Sequence, residues 1–212
     1  MKIQPFTLGE VSTRSYVVYG DGEEAILIDA PDKIEKALSF IKEKNLKLRY
    51  VLLTHAHFDH VMGLAEVKKE FPSAEIFLDK NDDFFLRNKG EGNIELLRHG
   101  FPFMLSAFKP YLDNLPTEYS FYTDRIATFK VIRTPGHTKG SVCLYDEKEN
   151  VLFSGDTIFK SSYGRTDFPG GSESEIIASI KMLLNFVDER ALVLPGHGDA
   201  TTIKDEKAFY GL

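Results

Sequence analysis

Four side chains that commonly bind metals lie within six residues of one loop. The run from Thr54 to His60 reads Thr-His-Ala-His-Phe-Asp-His and directly follows the apolar stretch Tyr50-Val51-Leu52-Leu53. That stretch is short and rich in β-formers, so it predicts a buried strand whose carboxyl end carries the polar side chains. Solvated loop histidines would explain one or two of the three histidines here. The cluster as a whole favours a metal site.

Three further candidates each follow a strand-like apolar run. His137 lies in Thr-Pro-Gly-His-Thr, Asp156 ends Val-Leu-Phe-Ser-Gly-Asp, and His197 follows Leu-Val-Leu-Pro-Gly. Taken singly, each could be a turn residue or a helix cap. Because the same arrangement occurs four times, we predict one metal centre with a position left open for water. His99 lies outside this pattern and is predicted to be a surface residue.

These motifs resemble those of the metallo-β-lactamase superfamily over most of the chain. More narrowly, Thr134–Ser141 (TPGHTKGS), Val151–Phe159 (VLFSGDTIF) and Gly164–Pro169 (GRTDFP) are similar to the glyoxalase II-like branch, the hydroxyacylglutathione hydrolases, and above all to its short single-domain members. The resemblance implies an α/β fold, an αββα sandwich, formed as a single domain over residues 1–212. It also implies two metal ions, the first held by His55, His57 and His137, the second by Asp59, His60 and His197, with Asp156 bridging them.

The chemistry of these ligands agrees with a hydrolase. Five neutral imidazoles and two carboxylates around two divalent cations and a bridging hydroxide leave a net charge of about +1, which suits the stabilisation of an oxyanion. Nitrogen and oxygen ligands predict zinc, with iron or manganese as alternatives. The metal-bridging hydroxide is the expected nucleophile. Asp59 and His60 are expected to serve catalysis as well as metal binding, Asp59 by orienting the hydroxide.

The expected substrate is a small acyl thioester or ester, with S-lactoylglutathione as the reference compound that the resemblance implies. Arg165 matches a position where the family places a basic contact to glutathione, so it is the predicted substrate-binding residue. Asp167 and Asp199, however, stand where tyrosines assist in full-length glyoxalase II. Only 15 residues follow His197, so we expect no carboxy-terminal helical domain. An equally good interpretation pairs Arg165 with Asp167 to shape the loop.

Other activities share this scaffold. A persulfide dioxygenase would use one iron held by residues matching His55, His137 and Asp156, but the form Pro195-Gly196-His197-Gly198 favours the hydrolase branch. Flavin-linked diiron oxygen reductases typically carry Glu where His57 stands. A phosphodiesterase or nuclease could use the same two metals. A binding module without catalysis is disfavoured by the complete ligand set.

Composition limits the partners. The net charge of −6, with both signs mixed along the chain, gives no basic footprint for nucleic acid. No segment approaches about 18 consecutive apolar residues, and no basic leader precedes an apolar core, so neither membrane insertion nor secretion is expected. One cysteine, Cys143, suits a reducing compartment, and we expect the protein to be cytoplasmic. Its strand-like surroundings predict a buried apolar role rather than a nucleophile.

Periodicity predicts alternating strands and helices. The segment 80–122 is set apart by its many aromatic residues and is predicted to be a helical insertion in which Pro102 separates two helices. Either it buries its own aromatics, or it forms a wall over the metal cleft that selects substrate. The predicted strands are 2–8, 15–20, 24–29, 50–53, 127–133, 141–146, 151–156 and 191–194, and the predicted helices are 33–44 (capped by Asp32), 61–71 and 173–187.

Overall fold

The computed structural model describes residues 1–211, which divide into two compact units. The first unit comprises Met1–Leu78 and Asp82–Phe121, and the second comprises Asp79–Asn81 and the chain from Tyr122 onward. Each unit contains one six-stranded sheet. None of the described helices is long and apolar enough to cross a membrane.

The sheet of the first unit runs in chain order. Its strands are β1 (Lys2–Leu8), β2 (Thr13–Tyr19), β3 (Glu24–Ile28), β4 (Lys47–Leu52), β5 (Glu75–Leu78) and β6 (Ser120–Phe121). The first three pair antiparallel and the last four pair parallel. Ile28 at the end of β3 stands opposite Leu52 at the end of β4. Polar residues that follow these two strands therefore meet at one edge of the sheet, the usual place for a ligand site in a parallel sheet.

Three helices precede the insertion in this unit: α1 (Glu35–Glu43), α2 (Phe58–Val61) and α3 (Leu64–Glu70). The spacing of apolar residues correctly predicts the buried face of α1. The predicted cap is wrong, because Ile34 and not Asp32 occupies the N-cap position and no side chain caps the helix.

The predicted helix at 61–71 is instead two short helices separated at Gly63. The amide of Gly63 donates to the carbonyl of Ala30 at 2.8 Å. A Cβ atom at Gly63 would lie 2.2 Å from the carbonyl oxygen of Pro31. Only glycine permits this approach.

The insertion is helical, as predicted. A 3₁₀ helix (Lys80–Asp82) leads to α4 (Asp83–Gly100), and a second 3₁₀ helix (Pro102–Met104) leads to α5 (Leu105–Asp113). The proline prediction is confirmed, since one helix ends at Gly100 and the next begins at Pro102. The helix α4 is broken at residues 87–90, where Asn88, Lys89 and Gly90 have positive φ.

Aromatic residues of the insertion are divided between core and surface. Phe85 and Phe108 are buried, whereas the side chain of Phe103 is 78% exposed. The insertion therefore buries part of its own aromatic content. Its role as a substrate wall stays a prediction.

The second unit has the strand order β12-β11-β10-β9-β8-β7. Its strands are β7 (Arg125–Ile126), β8 (Phe129–Arg133), β9 (Val142–Asp146), β10 (Val151–Gly155), β11 (Leu192–Pro195) and β12 (Thr201–Thr202). Only β10 and β11 pair parallel. Helices α6 (Glu173–Phe186) and α7 (Ile203–Tyr210) complete the unit.

A hydrophobic cluster joins α6 to this sheet. Its fully buried members include Leu152, Ile176, Leu183 and Val193. Cys143 belongs to the same cluster, and burial raises the pKa of its thiol to about 11. A neutral, buried thiol agrees with the predicted apolar role.

Candidate metal centre

Four predicted ligands come together in the first unit after β4, with His55 and His57 on the loop and Asp59 and His60 in the short helix α2. The rings of His55 and His57 have centroids 4.9 Å apart, and those of His55 and His60 lie 4.1 Å apart. The nearest ligand-type atoms of His55 and His57, of His55 and His60, and of Asp59 and His60 lie within 4.8 Å. All four side chains are buried. Burying so many ionisable groups costs free energy unless they are paired with opposite charges or bind a metal ion.

Asp29 orders this loop from the end of the neighbouring strand β3. Its Oδ1 accepts from the backbone N–H of Thr54 at 2.8 Å, and its Oδ2 lies 2.8 Å from both the hydroxyl of Thr54 and Nδ1 of His60. Because a carboxylate only accepts, Nδ1 of neutral His60 must carry the proton. The lone pair of His60 is then on Nε2, the form that binds a metal.

The same carboxylate also sets the tautomer of His55. The hydroxyl of Thr54 has one proton, which it donates to Asp29, so its oxygen accepts from Nδ1 of His55 at 3.2 Å. The lone pair of His55 is therefore also on Nε2. One buried acid thus prepares two histidines for metal binding.

Asp59 is held by a residue of β2. The hydroxyl of Thr13 donates to Oδ2 of Asp59 at 2.8 Å. The same oxygen lies 3.4 Å from Nε2 of His60. Thr13 therefore fixes the direction of this carboxylate.

Three predicted ligands come together in the second unit. Oδ2 of Asp156 lies 3.5 Å from Nε2 of His137 and 3.6 Å from Nε2 of His197. His137 and Asp156 are buried, and the side chain of His197 is 27% exposed. His197 is thus the most accessible of the seven candidates.

Glycines and a short loop position two of these residues, His137 and Asp156. Gly136 has φ +138°, and a Cβ there would lie 2.2 Å from the backbone nitrogen of Ile176 in α6. The N–H of Gly164 donates to the carbonyl of Asp156 at 3.0 Å. The next residue, Arg165, accepts from Nδ1 of His137 through its backbone carbonyl at 2.7 Å. This bond leaves the lone pair of neutral His137 on Nε2.

The side chain of Arg165 forms a bidentate pair with Asp167. Nε and Nη2 donate to the two carboxylate oxygens at 2.7 Å each. The guanidinium holds the pKa of Asp167 at about 2. The interpretation that pairs these two residues is therefore observed, and a substrate contact through Arg165 stays a prediction.

The spacing of donor atoms fits metal ions better than direct hydrogen bonds. Separations of 3.4–3.6 Å between imidazole nitrogen and carboxylate oxygen exceed the usual N–H···O range. Two ligands on a tetrahedral ion, each about 2.1 Å from it, lie about 3.4 Å apart. The donor set of imidazole nitrogen and carboxylate oxygen is also one that divalent ions accept. The ligand atoms are therefore of the kind and at the spacing that divalent metal ions accept.

Two positioning residues escaped sequence reasoning although one had a signal. Asp29 follows the apolar strand Ala25-Ile26-Leu27-Ile28, the same arrangement that pointed to Asp156. Thr13 lies 46 positions before its partner Asp59, and no sequence motif around it indicates this contact. His99 is exposed, as predicted, and its Nδ1 bonds the carbonyl of Glu95 on its own helix at 2.9 Å.

Comparisons with known proteins identify the family of the chain. The family model of the metallo-β-lactamase superfamily matches residues 8–197. A relative from Haemophilus influenzae, hydroxyacylglutathione hydrolase GloC, is 32% identical over 196 residues, which cover 90% of this chain and 88% of that protein.

Solved structures share the fold. BLEG-1 B3 metallo-β-lactamase superposes with a TM-score of 0.82 at 32% identity, covering 98% of this chain and 97% of that one. TTHA1623, solved in a di-iron-bound form, gives a TM-score of 0.81 at 32% identity and covers 96% of each chain. The predicted fold class is therefore confirmed, and this chain belongs to the metallo-β-lactamase superfamily, whose members are mostly metal-dependent hydrolases.

Proposed function

We propose that this protein is a metal-dependent hydrolase that cleaves a thioester or related acyl ester, with S-lactoylglutathione as the reference substrate. The observation that carries the proposal is the hydrogen bonding at Nδ1 of His55, His60 and His137. Each has Nδ1 held by an acceptor, so that its Nε2 is left for a metal. The similarity to GloC, named as a hydroxyacylglutathione hydrolase, supports the substrate class.

The proposed cofactor is a pair of divalent cations, with zinc preferred and iron or manganese as alternatives. The proposed ligands are the seven residues that match the superfamily pattern: His55, His57, Asp59, His60, His137, Asp156 and His197. The di-iron form of TTHA1623 supports a centre with two ions. When bound, such ions supply Lewis acidity and lower the pKa of bound water to about 7.

The chain's own residues then orient the reacting groups. Asp29 holds His60 and, through Thr54, His55. Thr13 holds Asp59 at a fixed angle, from which the carboxylate can orient the attacking hydroxide. A thiolate is a fair leaving group because thiols have a pKa near 8.5, so the reaction needs no strong general acid.

Arg165 is the proposed substrate contact. Its side chain is 49% exposed while it pairs with Asp167, so a substrate carboxylate can approach the guanidinium from solvent. A variant Arg165→Ala should raise KM for S-lactoylglutathione more than it lowers kcat.

The first test is element-specific metal quantification on protein purified without added metal, followed by a panel of acyl thioesters. The proposal expects about two metal ions per chain and thioester hydrolysis. Absence of hydrolysis by protein that carries two metals would refute it. About one iron per chain with oxygen uptake on a persulfide would replace it with the dioxygenase. A β-lactam belongs in the panel, since lactam cleavage without thioester cleavage would also refute the proposed substrate class.

Paired histidine variants give the control. His57→Ala should lose metal and activity, because the proposed ligand is removed. His99→Ala changes an exposed histidine of the insertion and should retain both. Equal losses in the two variants would contradict the assignment.

A further inference from the structure

The insertion contacts the metal-binding loop at the residue between two proposed ligands. Ala56 stands between His55 and His57, and both of its backbone polar groups are bound by buried side chains of the insertion. Oδ2 of Asp82 accepts from the N–H of Ala56 at 2.9 Å. Nδ2 of Asn93 donates to the carbonyl of Ala56 at 2.9 Å. Asp82 and Asn93 are both 0% exposed.

These two bonds fix the peptide planes on either side of Ala56. The N–H belongs to the peptide that joins it to His55, and the carbonyl belongs to the peptide that joins it to His57. Rotation of either plane would turn the neighbouring imidazole. Each bond therefore controls the direction of one proposed ligand.

The orientation of the Asn93 amide is determined by its partners. Nδ2 also donates to the carbonyl of Phe85 at 2.9 Å. Both partners are carbonyl oxygens, which only accept, so a flipped amide would lose both bonds. The ring of Phe85 in turn packs edge-on against His57, with centroids 5.0 Å apart and an interplanar angle of 88°. Asn93 thus joins the loop to the residue that packs on the ligand.

The side chain of Asp82 does not cap its own helix. It is the N-cap residue of α4, where an aspartate commonly accepts from the first turn of its own helix, yet it makes no such bond. Its side chain binds Ala56 instead. The break in α4 at residues 87–90 likewise places Phe85 at the end of a helical segment, where its carbonyl can accept from Asn93.

We propose that Asp82 and Asn93 are positioning residues for the metal centre, and that the insertion sets the geometry of His55 and His57 through the two peptides of Ala56. This inference rests on the proposed function only in taking these histidines as metal ligands. It assigns the insertion a part in metal binding that is separate from any contact with substrate.

Binding of Co²⁺ to the full chain tests the proposal without any substrate. Affinity is measured by competition with a chromophoric chelator, and the visible absorption of bound Co²⁺ reports ligand geometry. Asn93→Ala should weaken affinity by about 10- to 100-fold, as is typical when a residue that orients a ligand is removed. It should also change the absorption spectrum.

Leu96→Ala is the matched control. Leu96 is fully buried on the same helix but offers no polar group to the loop. Both variants are measured under conditions in which they remain folded. The Co²⁺ affinity of Leu96→Ala should then stay within about threefold of the wild-type value. Equal weakening by Asn93→Ala and Leu96→Ala would overturn the proposal, as would an unchanged spectrum and affinity in Asn93→Ala.

A second pair of variants serves if Asn93→Ala does not fold. Asp82→Asn can keep an oxygen opposite the N–H of Ala56, whereas Asp82→Ala cannot. Affinity should fall by about tenfold or more in the alanine variant and be largely restored in the asparagine variant. Equal affinities in the two would refute the role of Asp82.

These results separate the two proposals. Wild-type protein that binds Co²⁺ and loses it in Asn93→Ala, yet cleaves no thioester, would refute the proposed activity and support the positioning role. Thioester cleavage with unchanged metal affinity in Asn93→Ala would do the reverse. Wild-type protein that binds no divalent ion would overturn both.

Discussion

The variant Asp29→Asn should reverse the tautomers of two histidines. The backbone N–H of Thr54 can only donate, so the amide oxygen of the new asparagine must take the place of Oδ1. The NH₂ group then replaces Oδ2 and faces both the hydroxyl of Thr54 and Nδ1 of His60. It has two protons and can donate to both.

The variant therefore holds both histidines in the tautomer that cannot bind a metal through Nε2. His60 must accept at Nδ1 and carry its proton on Nε2. Thr54, now an acceptor from the amide, turns its own proton towards Nδ1 of His55, which also moves its proton to Nε2. If either histidine returned to its metal-binding tautomer, its buried Nδ1–H would face another hydrogen-bond donor. Two facing donors cost about 1–3 kcal/mol. Metal affinity should therefore fall by about 5- to 150-fold for the ion each histidine binds.

Nitrogen-15 NMR of the histidine rings in metal-free protein reads the tautomers directly. Wild type should show the proton on Nδ1 of His55 and His60, and the variant should show it on Nε2. Chelator competition gives the affinity change in the same samples. Asp79→Asn is the control, since Asp79 is an equally buried carboxylate that binds Asn81 and Arg133 and no proposed ligand. Retention of the Nδ1 proton on both histidines in Asp29→Asn, with wild-type affinity, would refute this reasoning.

Three further predictions concern the second unit. Cys143→Ala should keep full hydrolytic activity, and native protein should resist thiol alkylation at pH 8, because burial raises the pKa of this thiol to about 11; rapid labelling would contradict it. Arg165 holds the pKa of Asp167 at about 2. The ion pair therefore stabilises the folded protein fully at pH values above 3.8, the ordinary pKa of aspartate, and this stabilisation is lost as pH falls towards 2. Urea unfolding of wild type and Asp167→Asn should accordingly differ most at pH 5 and converge near pH 2, and a constant difference would refute the assignment. Gly136→Ala should lower the free energy of unfolding by about 1–3 kcal/mol and weaken metal binding, because the new Cβ would meet the backbone of Ile176; a variant as stable as wild type in urea would show that the loop adapts without cost.

Local patterns predicted the main elements because strands and helices with one buried face repeat their apolar residues at a fixed period. Strands β1 to β4 and β8 to β11, and helices α1 and α6, lie within about two or three residues of the predicted bounds. The two-residue strands β6, β7 and β12 are too short to show a period. The helix α7 lies outside the predicted elements, and it begins after a Thr-Thr strand, where the hydroxyl of Thr202 accepts from the N–H of Asp205.

The sequence by itself identified seven ligand candidates, because each follows an apolar strand and metal-binding residue types are few. It did not identify what holds them. Four residues hold the ligand-bearing segment 54–60 across 25 to 46 positions, and each is an ordinary polar residue in the sequence: Thr13, Asp29, Asp82 and Asn93. Tertiary structure decided their roles, because a hydrogen bond between distant residues depends on which strands lie side by side and where a helix breaks. A sequence pattern reports the first neighbours along the chain, whereas the tautomer of a histidine is set by its neighbours in space.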